Sequence, residues 1–303
     1  MMTQGENHSI DLRSWLETLE KHGELRRISA EVDWREEIGA VARINLSLDG
    51  PGLLFENIRD HKHTRCTKFL TGTLGNRRQV CLLLGLPTDT PDKAIIQHLR
   101  ACYRRGIPPV EVATGPVKTH KLSGADLDLS EFPVPHWHHL DGGRFIDTFC
   151  GVVTRNPKNG QMNVGIYRGQ VIAPDKIGKL LIPTQHWGSH FAEHRETSSP
   201  MPVAVVHGWH DVLPFCAGSP FPKGICEYDM MGAILGRPVE LVRCETSDLL
   251  IPASAEIVIE GTIDPNPATF EMEGPFGEYP GYAGGTPSPK PVLRLSRITH
   301  RAD

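Results

Sequence analysis

The sequence predicts an α+β fold in two parts. Helix and strand patterns alternate over the first hundred residues, strand-like runs dominate the remainder, and a proline-rich stretch from Ile107-Pro108-Pro109 to about Pro135 joins the two. These observations place a small N-terminal α/β domain over 1–115 and a second domain over 116–303, whose short strands separated by Gly, Pro and Asn turns suggest a barrel or a sandwich.

The elements follow in chain order. Asp11 is an N-cap for a helix with Leu12, Trp15, Leu16 and Leu19 on one face, and Gly23 is its C-terminal stop. Asp33 with Glu36 has the spacing of a capping box opening a second helix through Ile38, Val41, Ala42 and Ile44. Thr90-Pro91 supplies a cap and a first-turn proline for a third helix carrying Ala94, Ile95, Leu99 and Cys102 and stopping at Gly106. Leu53 to Phe55, Lys68 to Leu70 and Val80 to Leu84 read as strands between them. Beyond the joint, strands are expected at Cys150 to Thr154, Asn163 to Ile172, Val203 to Val206, Val239 to Val242, Ile257 to Glu260 and Val292 to Ile298. A helix follows Glu227, with Met230, Met231, Ala233 and Ile234 turned inward.

Composition narrows the classes. A chain of 303 residues with 39% hydrophobic and 22% charged residues suits a globular enzyme with one sizeable core or more. The net charge of −4, with no basic stripe, argues against a nucleic-acid binder. Met1 to Ser9 is polar and no apolar run reaches membrane-spanning length, so neither a signal peptide nor a membrane span is expected. The seven cysteines include no CxxC pair and fit reduced thiols in the cytoplasm. P-loop, GxGxxG and GxSxG motifs are absent, which removes support from common ATPase, dinucleotide and serine-hydrolase readings.

Glu273-Gly-Pro-Phe-Gly-Glu278 sets two carboxylates around a turn in which glycine frees the backbone, proline fixes a φ angle and Phe276 supplies an apolar wall. A carboxylate beside that wall is expected to be desolvated and to hold a proton near neutral pH; a tight turn with two solvated glutamates is the alternative. Of the fifteen histidines, the 136–139 tract reads as a loop packing near a pocket, and His190 and His194 share a helix spacing without an HExxH frame. Asn163, His186 and Glu227 offer an amide oxygen, an imidazole and a carboxylate suited to a divalent cation such as Mn²⁺, although spacing alone does not single them out. Cys226 is read as a buried, inert thiol.

Asn163-Val-Gly-Ile-Tyr-Arg168, Gln185-His186, Ala217-Gly-Ser-Pro-Phe-Pro-Lys-Gly-Ile-Cys-Glu227 and Glu273-Gly-Pro-Phe-Gly-Glu278 occur in this order, and together they resemble the UbiD family of decarboxylases that use prenylated FMN. The likeness runs from the N-terminal helix to Ile298-Thr-His-Arg301. Through Asp141-Gly-Gly-Arg-Phe-Ile and Asn163 to Arg168, it is nearest to the phenolic-acid and hydroxybenzoate decarboxylase subunits. The resemblance implies a split β-barrel related to flavin-reductase barrels in the second domain. It also implies Mn²⁺, and K⁺ as a further cation, with Asn163, His186 and Glu227 as metal ligands. Gly165, Ile166, Tyr167, Arg168, Gln185, Ala217, Gly218, Ser219 and Pro220 match flavin-facing positions. Arg168, Glu273 and Glu278 match a catalytic network in which Glu278 is the proton donor. Implied partners are an aromatic carboxylic acid, CO₂ and a flavin prenyltransferase that supplies the cofactor.

Family members usually continue past the equivalent of Arg301 into a C-terminal domain that adds a flavin-phosphate lysine and much of a dimer contact. That domain is expected to be missing here, with homo-oligomerisation dependent on it. Two alternatives stand beside the decarboxylase: an FMN-binding barrel with other flavin chemistry, and an incomplete or non-catalytic subunit of a decarboxylase complex.

Overall fold

The computed structural model describes residues 10–222, 224–278 and 281–302. Residues 1–9, on which the signal-peptide expectation rests, lie outside them. The first helix, Leu12–Lys21, starts as expected. Asp11 accepts from the Ser14 amide at 3.0 Å, and Ser14 Oγ accepts from the Asp11 amide at 3.1 Å. Trp15 and Leu19 are fully buried on its inner face, and Gly23 takes the positive φ of 72° that ends it.

Three expectations for this region are corrected. The second helix spans Glu37–Ser47, but Asp33 and Glu36 do not form its box. Asp33 Oδ1 accepts from the Arg35 amide at 2.8 Å, Glu37 returns a carboxylate to the Asp33 amide at 2.7 Å, and Ile44 faces solvent. The run at 80–84 is not a strand, because the helix Arg77–Leu83 passes through it. Asn76 accepts from the Gln79 amide at 2.9 Å while Gln79 Oε1 accepts from the Asn76 amide at 3.2 Å, and this reciprocal cap decides the local structure. The third helix, Asp92–Tyr103, is preceded by Pro91 in the capping position, one residue later than expected, and Thr90 makes no cap.

Strands Leu25–Ile28 and Gly52–Phe55 pair in parallel, and Phe69–Thr71 adds an antiparallel third. The larger sheet has eight strands, all paired antiparallel. Its path runs Met162–Gly165, Gly151–Arg155, Met201–His207, Ile257–Ile263, Val292–His300, Lys176–Lys179, Gly169–Ala173, with His120–Leu122 also on Val292–His300. The two strands at the ends of this path are consecutive in sequence, joined only by residues 166–168. Four Cα steps of 3.8 Å reach at most about 15 Å, so the sheet must curl until its ends approach each other. No ladder joins those ends among the described residues, so no closed barrel forms. The expected single strand from Asn163 to Ile172 is therefore two strands, broken where the chain crosses the opening.

Both faces of the curled sheet are covered. Along the central strand Val203 and Val205 enter one buried cluster with Val152, Ile259 and Ile298, while Ala204 and Val206 enter another with Val153 and Val258. Trp15 and Leu19 belong to that second cluster, so the N-terminal helix shares a core with the large sheet. Helices His186–Glu196, Val212–Ala217 and Glu227–Leu235, the first two not expected as elements, are joined by a third sheet in which Glu240–Arg243 pairs with Leu250–Pro252 and with Val110–Glu111. Among the described residues no helix is long and apolar enough to cross a membrane.

Candidate active site

Residues 166–168 bridge the open edge of the sheet, and Arg168 is the last of them. Its Nε donates to Glu273 Oε1 at 2.8 Å and its Nη2 to Glu273 Oε2 at 3.0 Å, a two-pronged pairing that fixes the guanidinium plane. Its Nη1 donates to Glu278 Oε1 at 3.3 Å. The two carboxylates differ in environment: the Glu273 side chain is 0% exposed and that of Glu278 is 36% exposed. The Phe276 ring lies 5.5 Å from the guanidinium and packs on Phe145 at 4.5 Å. The apolar wall between the two acids thus faces their shared arginine.

Short ladders hold the turn that carries these acids. Glu273 pairs with Ser288, Phe276 with Gly284 and Gly277 with Ala283. The Glu278 amide donates to Tyr282 O at 2.8 Å, and the Gly281 amide returns a bond to Glu278 O at 2.9 Å. The 136–139 tract meets this turn as expected of a loop near the pocket, because the His138 ring lies edge-on to Phe276 at 6.3 Å.

The second group of candidates lies at the other end of the 163–168 segment. His186 Nδ1 and Asn163 Oδ1 are 3.2 Å apart, and Glu227 Oε2 accepts from the amide of Val164, the residue after Asn163, at 2.9 Å, so the 163–164 segment is met by both His186 and Glu227. His186 is placed by the start of helix His186–Glu196, with Gln185 as its N-cap residue, and Glu227 by the start of helix Glu227–Leu235. Glu227 is buried and forms no ion pair among the described residues; burial pushes its carboxyl up to about 7 against the opposing Val164 hydrogen bond. An amide oxygen, an imidazole and a desolvated carboxylate form a mixed N/O donor set that fits a first-row divalent cation, which would compensate the buried charge. Among the described residues no three His, Cys, Asp or Glu side chains gather to hold a metal, and here one of the three donors is an amide.

Tyr167 joins the two groups. Its hydroxyl accepts from Asn163 Nδ2 at 3.3 Å, and its ring stacks on Trp187 at 4.3 Å with an interplanar angle of 5°. An added Cβ on Gly165 would stand 2.5 Å from this ring, so the segment needs glycine there. Ile166 reaches across to the Ala217–Pro220 loop, its Cδ1 lying 3.6 Å from where a Cβ on Gly218 would be. In that loop Ser219 Oγ donates to Phe215 O at 2.8 Å.

Beneath this layer lies a cluster that spacing did not reveal. Lys179 and Asp147, both with fully buried side chains, form an ion pair, and His207 Nε2 lies 3.1 Å from Asp147 Oδ1. Lys179 Nζ also donates to Tyr167 O at 3.4 Å. Burial raises the Asp147 carboxyl, but Lys179 and His207 outweigh it and leave the group below the usual range. Of the helix pair, His190 meets Thr154 Oγ1 at 2.9 Å and His194 meets Ser199 Oγ at 3.0 Å. Burial pushes the Cys226 thiol up to about 11, as suits an inert side chain.

Comparison with known proteins shows which family the chain belongs to. Residues 109–303 match the 3-octaprenyl-4-hydroxybenzoate carboxy-lyase Rift-related domain, UbiD, and residues 16–99 match the N-terminal domain of the same carboxy-lyases. The chain is 33% identical over 299 residues to a pyrrole-2-carboxylic acid decarboxylase of Pseudomonas aeruginosa, covering 97% of this chain and 60% of that protein. It is 34% identical over 299 residues to a phenolic acid decarboxylase of Bacillus subtilis, covering 96% of this chain and 62% of that one. Among solved structures, an evolved dimeric form of the UbiD-class enzyme HmfF from Pelotomaculum thermopropionicum, in complex with prFMN, superposes with a TM-score of 0.87 at 34% identity. That match covers 97% of this chain and 66% of HmfF. The chain therefore spans about three fifths of the length of the curated relatives it matches. With both domain descriptions met in order over nearly all of its residues, the chain belongs to the UbiD family of carboxy-lyases.

Proposed function

We propose that this chain carries the catalytic machinery of a reversible, non-oxidative decarboxylase that acts on an aromatic or α,β-unsaturated acid, of hydroxybenzoate type, with prenylated FMN. The observation that carries the reading is the position of Arg168. It is bound to both Glu273 and Glu278, and one short segment links it to the Asn163, His186 and Glu227 donors. A plain flavin carrier has no use for a half-buried arginine locked between two acids. The names of the two relatives both specify acids with an aromatic ring, which supports the substrate class.

Asn163, His186 and Glu227 would hold Mn²⁺, with K⁺ as a candidate second cation, and the metal would supply positive charge for the anionic part of the cofactor. Gly165, Ile166, Tyr167, Gln185 and the Ala217–Pro220 loop would line the flavin. Loss of CO₂ from an sp² carbon leaves an electron pair that no side chain delocalises, and the modified flavin, when bound, supplies that electron sink. The chain's own residues handle the proton. Glu273 takes both prongs of Arg168 and stays buried, so it serves as the fixed charge partner. Glu278, partly open to solvent and held by one longer bond, donates its proton to the carbon that has lost CO₂. The pair from the broken C–C bond becomes the new C–H bond, and the carboxylate recovers a proton from water.

The same reading includes a division at 1–115 and 116–303, supported by the two separate domain matches. It includes supply of the cofactor by a flavin prenyltransferase, and self-association, as in the dimeric HmfF form. A cytoplasmic setting is supported by seven cysteines that are all free. The direct test is Glu278→Gln, which should keep flavin yet lose about 10²–10⁴-fold in CO₂ release. Near-normal turnover in that variant would remove Glu278 from the role.

A further inference from the structure

Among the described residues the Glu278 side chain is held by one bond, of 3.3 Å to Arg168, so its backbone must set its position. The turn from Glu273 to Glu278 is pinned near each end by a side chain from outside it. Near the first end the Gly274 amide donates to Gln170 Oε1 at 2.7 Å, and Gln170 Nε2 donates to Gly142 O at 2.9 Å. Near the second, the amide of Gly277, next to Glu278, donates to Asp141 Oδ1 at 2.6 Å. Asp141 Oδ2 accepts from the His138 amide at 3.0 Å, and the side chain is 0% exposed. Between these points the Gly142 amide donates to Pro275 O at 2.8 Å.

The approach of the two loops is too close for ordinary side chains. A Cβ on Gly142 would stand 2.0 Å from Gly274 O, and one on Gly277 would stand 2.3 Å from the His138 ring. Gln170 lies two residues after Arg168, on the strand that Arg168 precedes, so one strand fixes the arginine and one end of the acid-bearing turn.

We propose that Asp141 and Gln170 are positioning residues whose clamp on the amides of Gly277 and Gly274 sets Glu278 against Arg168. The Asp141 contact is the nearer to Glu278: its fully buried side chain holds the adjacent Gly277 amide at 2.6 Å, where a low local dielectric strengthens a hydrogen bond. The inference rests on the decarboxylase reading for its catalytic consequence, but the clamp itself can be measured without cofactor or substrate.

The experiment compares the wild-type chain with Asp141→Ala, Asp141→Asn and Gln170→Ala. It measures amide hydrogen exchange in the 273–278 segment of the cofactor-free protein, and kcat and KM of cofactor-loaded protein for CO₂ release. Asp141→Ala and Gln170→Ala should speed exchange in that segment and lower kcat by about 10²-fold with KM little changed, as for a small misplacement of a reacting group. Asp141→Asn keeps an acceptor for Gly277 and should restore most of both readouts. Wild-type exchange in a folded Asp141→Ala or Gln170→Ala protein overturns the clamp. So does an unchanged kcat in a variant whose exchange has sped up. If Asp141→Ala does not fold, Gln170→Ala decides by the same criteria. A wild-type chain loaded with prenylated FMN that releases no CO₂ from any acid tried would sink the decarboxylase reading, and exchange alone would then judge the clamp.

Discussion

Arg168 grips Glu273 with two bonds, at 2.8 and 3.0 Å, and touches Glu278 with one at 3.3 Å. The asymmetry matches the proposed roles, Glu273 as the fixed charge partner and Glu278 as the proton donor. The two-pronged bond to the buried Glu273 fixes the guanidinium plane, whereas the single longer bond leaves Glu278 partly open to solvent.

Arg168→Lys tests this geometry. Lysine keeps the charge but cannot grip both oxygens of Glu273 and reach Glu278 in one plane. Turnover should fall by about 10²-fold while flavin content stays near that of wild type. Steady-state rates with a flavin absorbance measurement check it, and full activity in the lysine variant would show that the fork is not required.

Lys179→Met tests the cluster beneath Tyr167. Removing one partner of a buried ion pair leaves its counter-charge uncompensated and costs about 3–5 kcal/mol. Asp147 retains only His207 at 3.1 Å, and Tyr167 O loses a donor. Urea unfolding should show the loss, and the double variant Asp147→Leu/Lys179→Met should recover much of it. A single variant as stable as wild type would mean the pair is not a structural tie.

Asp211→Asn tests a buried acid at the junction of the first helix with the large sheet. Trp15 Nε1 donates to Asp211 Oδ2 at 2.7 Å, and burial pushes this carboxyl up to about 6 against bonds from Thr73 and Trp15. An acid raised from 3.8 in the unfolded chain favours the fold fully below 3.8, and that contribution is lost as pH rises through 6. Above that range the ionised form costs on the order of 3 kcal/mol, so the asparagine variant should melt higher than wild type at pH 8. The gap should narrow to about half at pH 5. Neighbouring His210, pushed down to about 3 by burial, acts in the opposite sense, because its neutral form favours the fold only while the unfolded imidazole is also neutral. Its contribution is common to both proteins and cancels in the comparison. Equal melting temperatures at pH 8 would count against a buried, ionised Asp211.

Local signals were legible in the sequence where one short pattern decides the structure. Asp11 and Gly23 bound the first helix, and Glu227 opens the last. Two other caps misled. Asp33 found Arg35 and Glu37 instead of Glu36, and the apolar run at 80–84 hid the Asn76–Gln79 cap that makes it a helix. The site candidates came from ordered motifs, and their meeting depends on a sheet whose end strands are joined by three residues, which no window of sequence reports. Asp147, Lys179 and His207 are sixty residues apart at most, on three separate segments, with no shared pattern, so only the fold brings them together. The Asp141 clamp was equally hidden, since its contact is to a backbone amide and leaves no mark on the side chain it meets.

The most direct test of the central claim is the identity of what the chain binds. The protein would be co-expressed with a flavin prenyltransferase, supplied with Mn²⁺, purified, and its released small molecule identified by mass spectrometry. The account predicts prenylated FMN in stoichiometric amount. A folded, Mn²⁺-supplied protein that carries no flavin would contradict it.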